Sequence, residues 1–162
     1  MIGPFALRDL RLLVKTHQEH VSLCPIEALT RPQSPLWAAV ASLLPFDDGQ
    51  SLTFVLHDRR DAKRQFGFLQ GKQPSAQPTM HLQRLTPPLD GNEDAQAAWQ
   101  RLIHYAVTAA GERGIQRVYA CVEEGSPEKA VLSAIGFSVY AREDIYCLEA
   151  DSRPQATARG AI

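Results

Sequence analysis

The period of the apolar positions changes several times along the chain, and each change predicts an element. Ile2 to Phe5 is a short extended start. From Leu7 to about His20, Leu7, Leu10, Leu13 and Val14 share one helical face. Residues 21–35 carry three prolines and no period, which predicts a connection. Leu36 to Leu44 predicts a short helix stopped by Pro45, and Asp47-Asp48-Gly49 a turn. Ser51 to His57 alternates as a strand, with Leu52, Phe54 and Leu56 on one side. Asp58 to Arg64 is its hairpin loop and Gln65 to Leu69 the return, where Gly67 predicts a close approach of backbone or ligand. After a polar loop, Thr79 to Leu85 is a further strand, ended by Thr86-Pro87-Pro88.

The second half is patterned more strongly. Trp99, Leu102, Ile103, Ala106, Val107 and Ala110 recur at steps of three and four, one face of a helix that Gly111 and Gly114 end. Arg117 to Val122 is nearly continuously apolar, which predicts a strand covered on both faces, central in its sheet. Ser126-Pro127-Glu128 opens another helix, with serine as N-cap and proline in the first turn. Ala130, Val131, Ala134 and Ile135 form its apolar stripe, and Gly136 suits a left-handed stop. Ser138 to Arg142 and Ile145 to Ala150 are predicted as the last two strands, turned at Glu143-Asp144. From Asp151 no hydrophobic pattern remains. The predicted domain is 1–150, with 151–162 a disordered tail or a linker. The order β-α-α-β-β-β-α-β-α-β-β predicts an α/β fold, a mixed, mostly antiparallel central sheet with helices on both faces.

Composition narrows the function classes. The chain has 162 residues, 44% hydrophobic and 22% charged, with a formal net charge of −1. No basic footprint for nucleic acid is visible. No apolar run is long enough to span a bilayer, and the N-terminus has no secretory pattern. Cys24, Cys121 and Cys147 are too scattered for a disulfide framework. Cys121 and Cys147 fall in predicted strands and read as small buried hydrophobes. A reducing, cytoplasmic setting is expected.

The order and lengths of the elements over roughly residues 2–150 resemble the GNAT superfamily of N-acetyltransferases. Four matches carry the resemblance: the opening Ile2-Gly3-Pro4-Phe5-Ala6-Leu7-Arg8-Asp9-Leu10, Phe66-Gly67-Phe68, Leu85-Thr86-Pro87, and Arg113 to Val122 followed by Gly136-Phe137. The resemblance implies transfer of an acyl group from acetyl-CoA to a small-molecule or peptide amine. Its cofactor would lie against the backbone of Leu85, Thr86 and Pro87 and of Gln96, Ala97, Ala98 and Trp99. The latter four stand in the register of the family's glycine-rich phosphate loop, whose N–H groups meet the pyrophosphate of CoA.

The sequence departs from that pattern at the site itself. Ala97 and Trp99 replace the two glycines, and an indole there would fill the pyrophosphate space. Asp90, Glu93 and Asp94 would oppose an anionic ligand. The same acids also suit a helix start, with Asn92 or Asp94 as cap. The usual asparagine falls on Gly125. The usual tyrosine, a general acid for the thiolate leaving group, falls on Leu132, which has no proton to donate. The strand from Thr79 to Leu85 lacks the glutamate base that family members often carry.

Two side chains are candidates for the missing catalytic groups. His81, on that strand, could act as a general base, and Tyr140 could replace the acid, as could Tyr146. Each also reads as ordinary sheet surface. Tyr105 reads as cover on the central helix. His17, His20 and Cys24 have a loose metal-like spacing without a second ligand pair, so no metal site is assigned. Two functions remain open. One is a divergent acyl-CoA-dependent N-acyltransferase. The other is a non-catalytic GNAT-like domain that has lost CoA binding and acts as a binding or regulatory module. Exposed edges of the last strands could pair two copies in a homodimer.

Overall fold

The computed structural model describes residues 1–16, 19–24, 35–41, 51–58, 65–74, 77–89, 91, 93–144 and 146. The elements are β1 (Ile2–Pro4), a 3₁₀ turn (Leu7–Asp9), α1 (Leu10–Thr16), β2 (Val21–Ser22), α2 (Pro35–Ala41), β3 (Ser51–Asp58), β4 (Gln65–Lys72), β5 (Thr79–Thr86), α3 (Glu93–Glu112), β6 (Arg117–Tyr119) and α4 (Pro127–Ile135). The sheet runs β1-β3-β4-β5, antiparallel throughout, and β6 joins β5 in parallel.

Alternation along β3 and β4 sorts two cores onto opposite faces. Leu52, Phe54, Leu56 and Leu69 face one cluster with Trp99, Leu102, Ile103 and Ala106 of α3 and Val131 and Leu132 of α4. Val55 and Phe68 face the other, with Leu13 of α1 and Ala39 of α2. Helices therefore cover both faces, as the pattern predicts. Gly67 fills its predicted role. A Cβ there would lie 2.8 Å from the Thr86 carbonyl oxygen and 3.1 Å from Leu102 Cδ1, so β5 and α3 approach at this point. The start of α4 is also as read. Ser126 Oγ accepts the Lys129 N–H, proline follows, and Gly136 closes the helix at φ 108°.

Several elements differ from expectation. The first helix is described over Leu10–Thr16, with Glu19 and His20 outside it, and only Leu13 of its predicted face is fully buried, while Leu7 and Val14 are exposed. Val21–Ser22, read as connection, is a strand. Arg117 to Val122 shortens to three strand residues, with Arg117 exposed and the rest half-buried, because the outer edge of β5 is shared with β2. It is not a strand buried on both faces. Ser138 to Arg142 pairs with no strand among the described residues, where Val139 and Tyr140 are exposed. The strand predicted over 145–150, the end of the helix at Pro45, Asp47-Asp48-Gly49, Asp90, Asn92, His17 and the tail 151–162 lie outside the described residues, and of 145–150 only the exposed Tyr146 is described.

Candidate functional site

β5 carries the candidate site at its C-terminal end. One edge pairs with β4, placing Leu85 opposite Leu69 and Thr86 opposite Phe68. The register shifts between Gln70 and Gly71, leaving Gln83 as the extra residue of a β-bulge. The other edge is divided. β6 lies beside Thr79, Met80 and His81, and β2 lies beside Arg84 and Leu85, antiparallel. The chain at β2 makes further bonds on both sides. Leu23 N–H donates to the Gln83 carbonyl at 2.8 Å, and Cys121 N–H, just past β6, donates to the Leu23 carbonyl at 2.9 Å. Residues 21–23 thus lie between β5 and the chain leaving β6, with Leu23 only 1% exposed.

Most of the residues assigned to the cofactor are committed internally. Leu85 is paired on both of its edges. Thr86 is buried, and its hydroxyl donates to the Glu19 carbonyl at 2.7 Å. The Pro87 carbonyl accepts the Trp99 indole N–H at 2.7 Å, and the Thr86–Pro87 peptide is cis. The Trp99 side chain turns inward and is 0% exposed, so the indole sits in the core and does not stand outside the helix end. Gln96 and Ala97 face solvent and Ala98 faces the core. Because α3 begins at Glu93, Ala97, Ala98 and Trp99 lie past its first turn, where N–H groups bond within the helix. The first-turn N–H groups stand beside the exposed carboxylates of Glu93 and Asp94. Asp94 is a helical residue, so it is not the cap.

His81 and Tyr140 meet through a third ring that the sequence reading passed over. His81 opposes Tyr119 in the ladder, with ring centroids 5.3 Å apart, and Tyr119 lies 5.7 Å from Tyr140. This aromatic row is at the surface, with Tyr140 82% exposed. It lies four residues from Leu85, roughly 13 Å along the strand. Tyr105 packs edge-on against Phe54 at 5.5 Å, as cover for the core.

Solved structures share this architecture. A probable acetyltransferase aligns over 94% of this chain and 99% of its own, with a TM-score of 0.59 at 15% identity. AAC(6')-Iy in complex with the bisubstrate analogue CoA-S-monomethyl-acetylneamine aligns over 93% and 98%, with a TM-score of 0.54 at 18% identity. An acetyltransferase from Trypanosoma brucei aligns over 91% and 99%, with a TM-score of 0.51 at 14% identity. The fold is GNAT-like. No protein-family model matches the sequence, and no curated protein matches it.

Within a GNAT-like frame the remaining departures acquire places. Leu132, in the register of the family's tyrosine, is 5% exposed and packs in the α3–α4 core. Gly125, in the register of the asparagine, is an exposed turn residue at φ 85°. A carboxylate–histidine pair lies elsewhere. Asp9 is buried; its Oδ1 lies 3.0 Å from His57 Nε2 and its Oδ2 accepts the Ala6 N–H at 2.9 Å. The early aspartate is thereby a fastening between the first turn and β3. No cluster of three or more metal-ligating side chains occurs among the described residues. No helix among them is long and apolar enough to cross a membrane.

Proposed function

We propose that this chain is a GNAT-fold domain that works without acyl-CoA, as a binding or regulatory module. The observation that carries this reading is β2. Val21 and Ser22 hold the β5 edge beside Leu85 and Arg84, where the resemblance would lay a cofactor against free backbone. A backbone group already paired in a ladder has no donor to offer an incoming ligand. Charge acts in the same direction, since Glu93 and Asp94 stand at the end of α3 that a pyrophosphate would approach. The absence of a proton donor at Leu132 agrees with a fold that no longer performs the transfer.

A second reading, a divergent acyl-CoA-dependent N-acyltransferase, is favoured by the alignment over nearly the whole length of solved acetyltransferases, one of them holding a CoA-based bisubstrate analogue. In that reading acetyl-CoA lies against Leu85, Thr86, Pro87 and the start of α3. His81 takes the proton from the attacking amine, and Tyr140 returns one to the departing thiolate. β2 must then leave its place beside β5.

Calorimetric titration with acetyl-CoA and with free CoA at moderate salt separates the two. The module reading expects no heat and no thermal shift at millimolar ligand. Saturable binding in the micromolar range, about 8 kcal/mol, overturns it and directs attention to the acceptor amine.

A further inference from the structure

The place where β2 meets the chain leaving β6 also brings together two of the three cysteines, Cys24 and Cys121, both free and half-buried. Cys121 N–H donates to the carbonyl of Leu23, the residue before Cys24, at 2.9 Å. Standard peptide dimensions on either side of that bond cap the separation of the two α-carbons at about 7 Å. Disulfide-bonded cysteines have α-carbons roughly 4.4–6.8 Å apart. The bond also fixes the two backbones relative to each other, so a bridge needs no large backbone movement. No sequence spacing announces it, because the two positions come together only through the long-range fold.

We propose that Cys24 and Cys121 form a redox-reversible disulfide that fastens the β2 segment between β5 and the chain after β6. The oxidant class is a peroxide. The Cys24 sulfur attacks one peroxide oxygen, breaking the O–O bond, and becomes a sulfenic acid as one water leaves. The Cys121 sulfur then attacks the Cys24 sulfur, and the hydroxyl departs as a second water. Two thiols and one hydrogen peroxide give one disulfide and two waters; the sulfurs are oxidised and the peroxide is reduced. The order of attack follows from environment. Burial, then the neighbouring Cys24, then Glu143 push the Cys121 thiol above its ordinary range, which disfavours it as the first nucleophile. In the reduced state the segment keeps its place without a covalent tie, through main-chain bonds, the Thr86–Glu19 contact and the packing of Leu23 in the core. In the oxidised state it is held covalently, and the edge of β5 cannot open.

The test is peroxide titration of the intact chain carrying Cys147→Ser, which leaves only the two cysteines in question. The expected result is loss of both free thiols, a linked peptide containing Cys24 and Cys121 after proteolysis, a mass that stays monomeric, and recovery of both thiols with dithiothreitol. Cys24→Ser in the same background keeps its single thiol through the peroxide dose that closes the pair. The bridged protein melts higher than the reduced one by roughly 5–10 °C, because a long loop is closed. Two thiols that persist, separate sulfinic acids, or a bond between two copies each overturn the proposal. These readings concern sulfur chemistry alone, so their failure leaves the reading of the acyl-CoA cleft standing, and the calorimetric result leaves the bridge standing.

Discussion

The bond from the Trp99 indole to the Pro87 carbonyl ties the chain after β5 to the body of α3. Trp99→Phe keeps an aromatic ring in the core but leaves that carbonyl without its donor. The expected cost is about 1–3 kcal/mol, read as a lower urea midpoint by circular dichroism. An unchanged midpoint would mean that solvent replaces the bond at no cost. The position of Trp99 on the buried side of its helix was legible, since steps of three and four put it with Leu102, Ile103 and Ala106. The direction of its N–H was not legible, because its partner lies across a loop whose path no periodicity records. The same holds for Asp9. An aspartate early in the first helix is visible in the sequence, but the His57 ring that meets it stands on β3, and only the pairing of β1 with β3 brings them together.

Among the elements, β4 and β5 set the spacing of everything near the site. Gly67→Ala places a methyl group against the Thr86 carbonyl, a backbone atom that cannot turn aside, and against Leu102. The expected loss is about 1–3 kcal/mol, measurable as a lower midpoint of chemical unfolding. No loss would show that the β4–β5 spacing adjusts freely. That glycine was read correctly because a glycine inside an apolar strand has few other reasons to be there. The long helix α3, the hairpin from β3 to β4 and the capped helix α4 were likewise legible, each having a period, a cap or a turn of its own. β2 was not. Two residues are too short for any period, and Val21–Ser22 becomes a strand only because β5 presents an edge beside it. The stretch Ser138 to Arg142 finds no partner among the described residues. Its alternation resembles a strand, yet pairing is a property of two segments, and in the fold Val139 and Tyr140 stand in solvent. The Cys24–Cys121 encounter was hidden for the reason that hid β2.

At the scale of the molecule, the sheet separates two cores, and most of its ladder joins segments that follow one another, β3 to β4 to β5. Local pairing of that kind closes short loops early. β1 and β2 are exceptions, and β2 reaches the further along the chain, because Val21 meets Leu85 and Leu23 meets Gln83 and Cys121. Its edge of the sheet can be covered only after β5 and β6 exist. During that interval the folding chain carries a bare strand edge, and a bare edge is a template for the strand of another molecule. Leu23→Pro removes the N–H that Gln83 accepts, whereas Leu23→Ala removes only the side chain. Refolding of the proline variant is expected to scatter light in proportion to protein concentration while the alanine variant refolds clear; equal turbidity in the two would show that the hydrogen bond does not guard the edge. The short strand thus matters to crowding as well as to shape: two residues near the beginning of the chain decide whether this edge of the sheet is covered or offers a neighbour a place to polymerise.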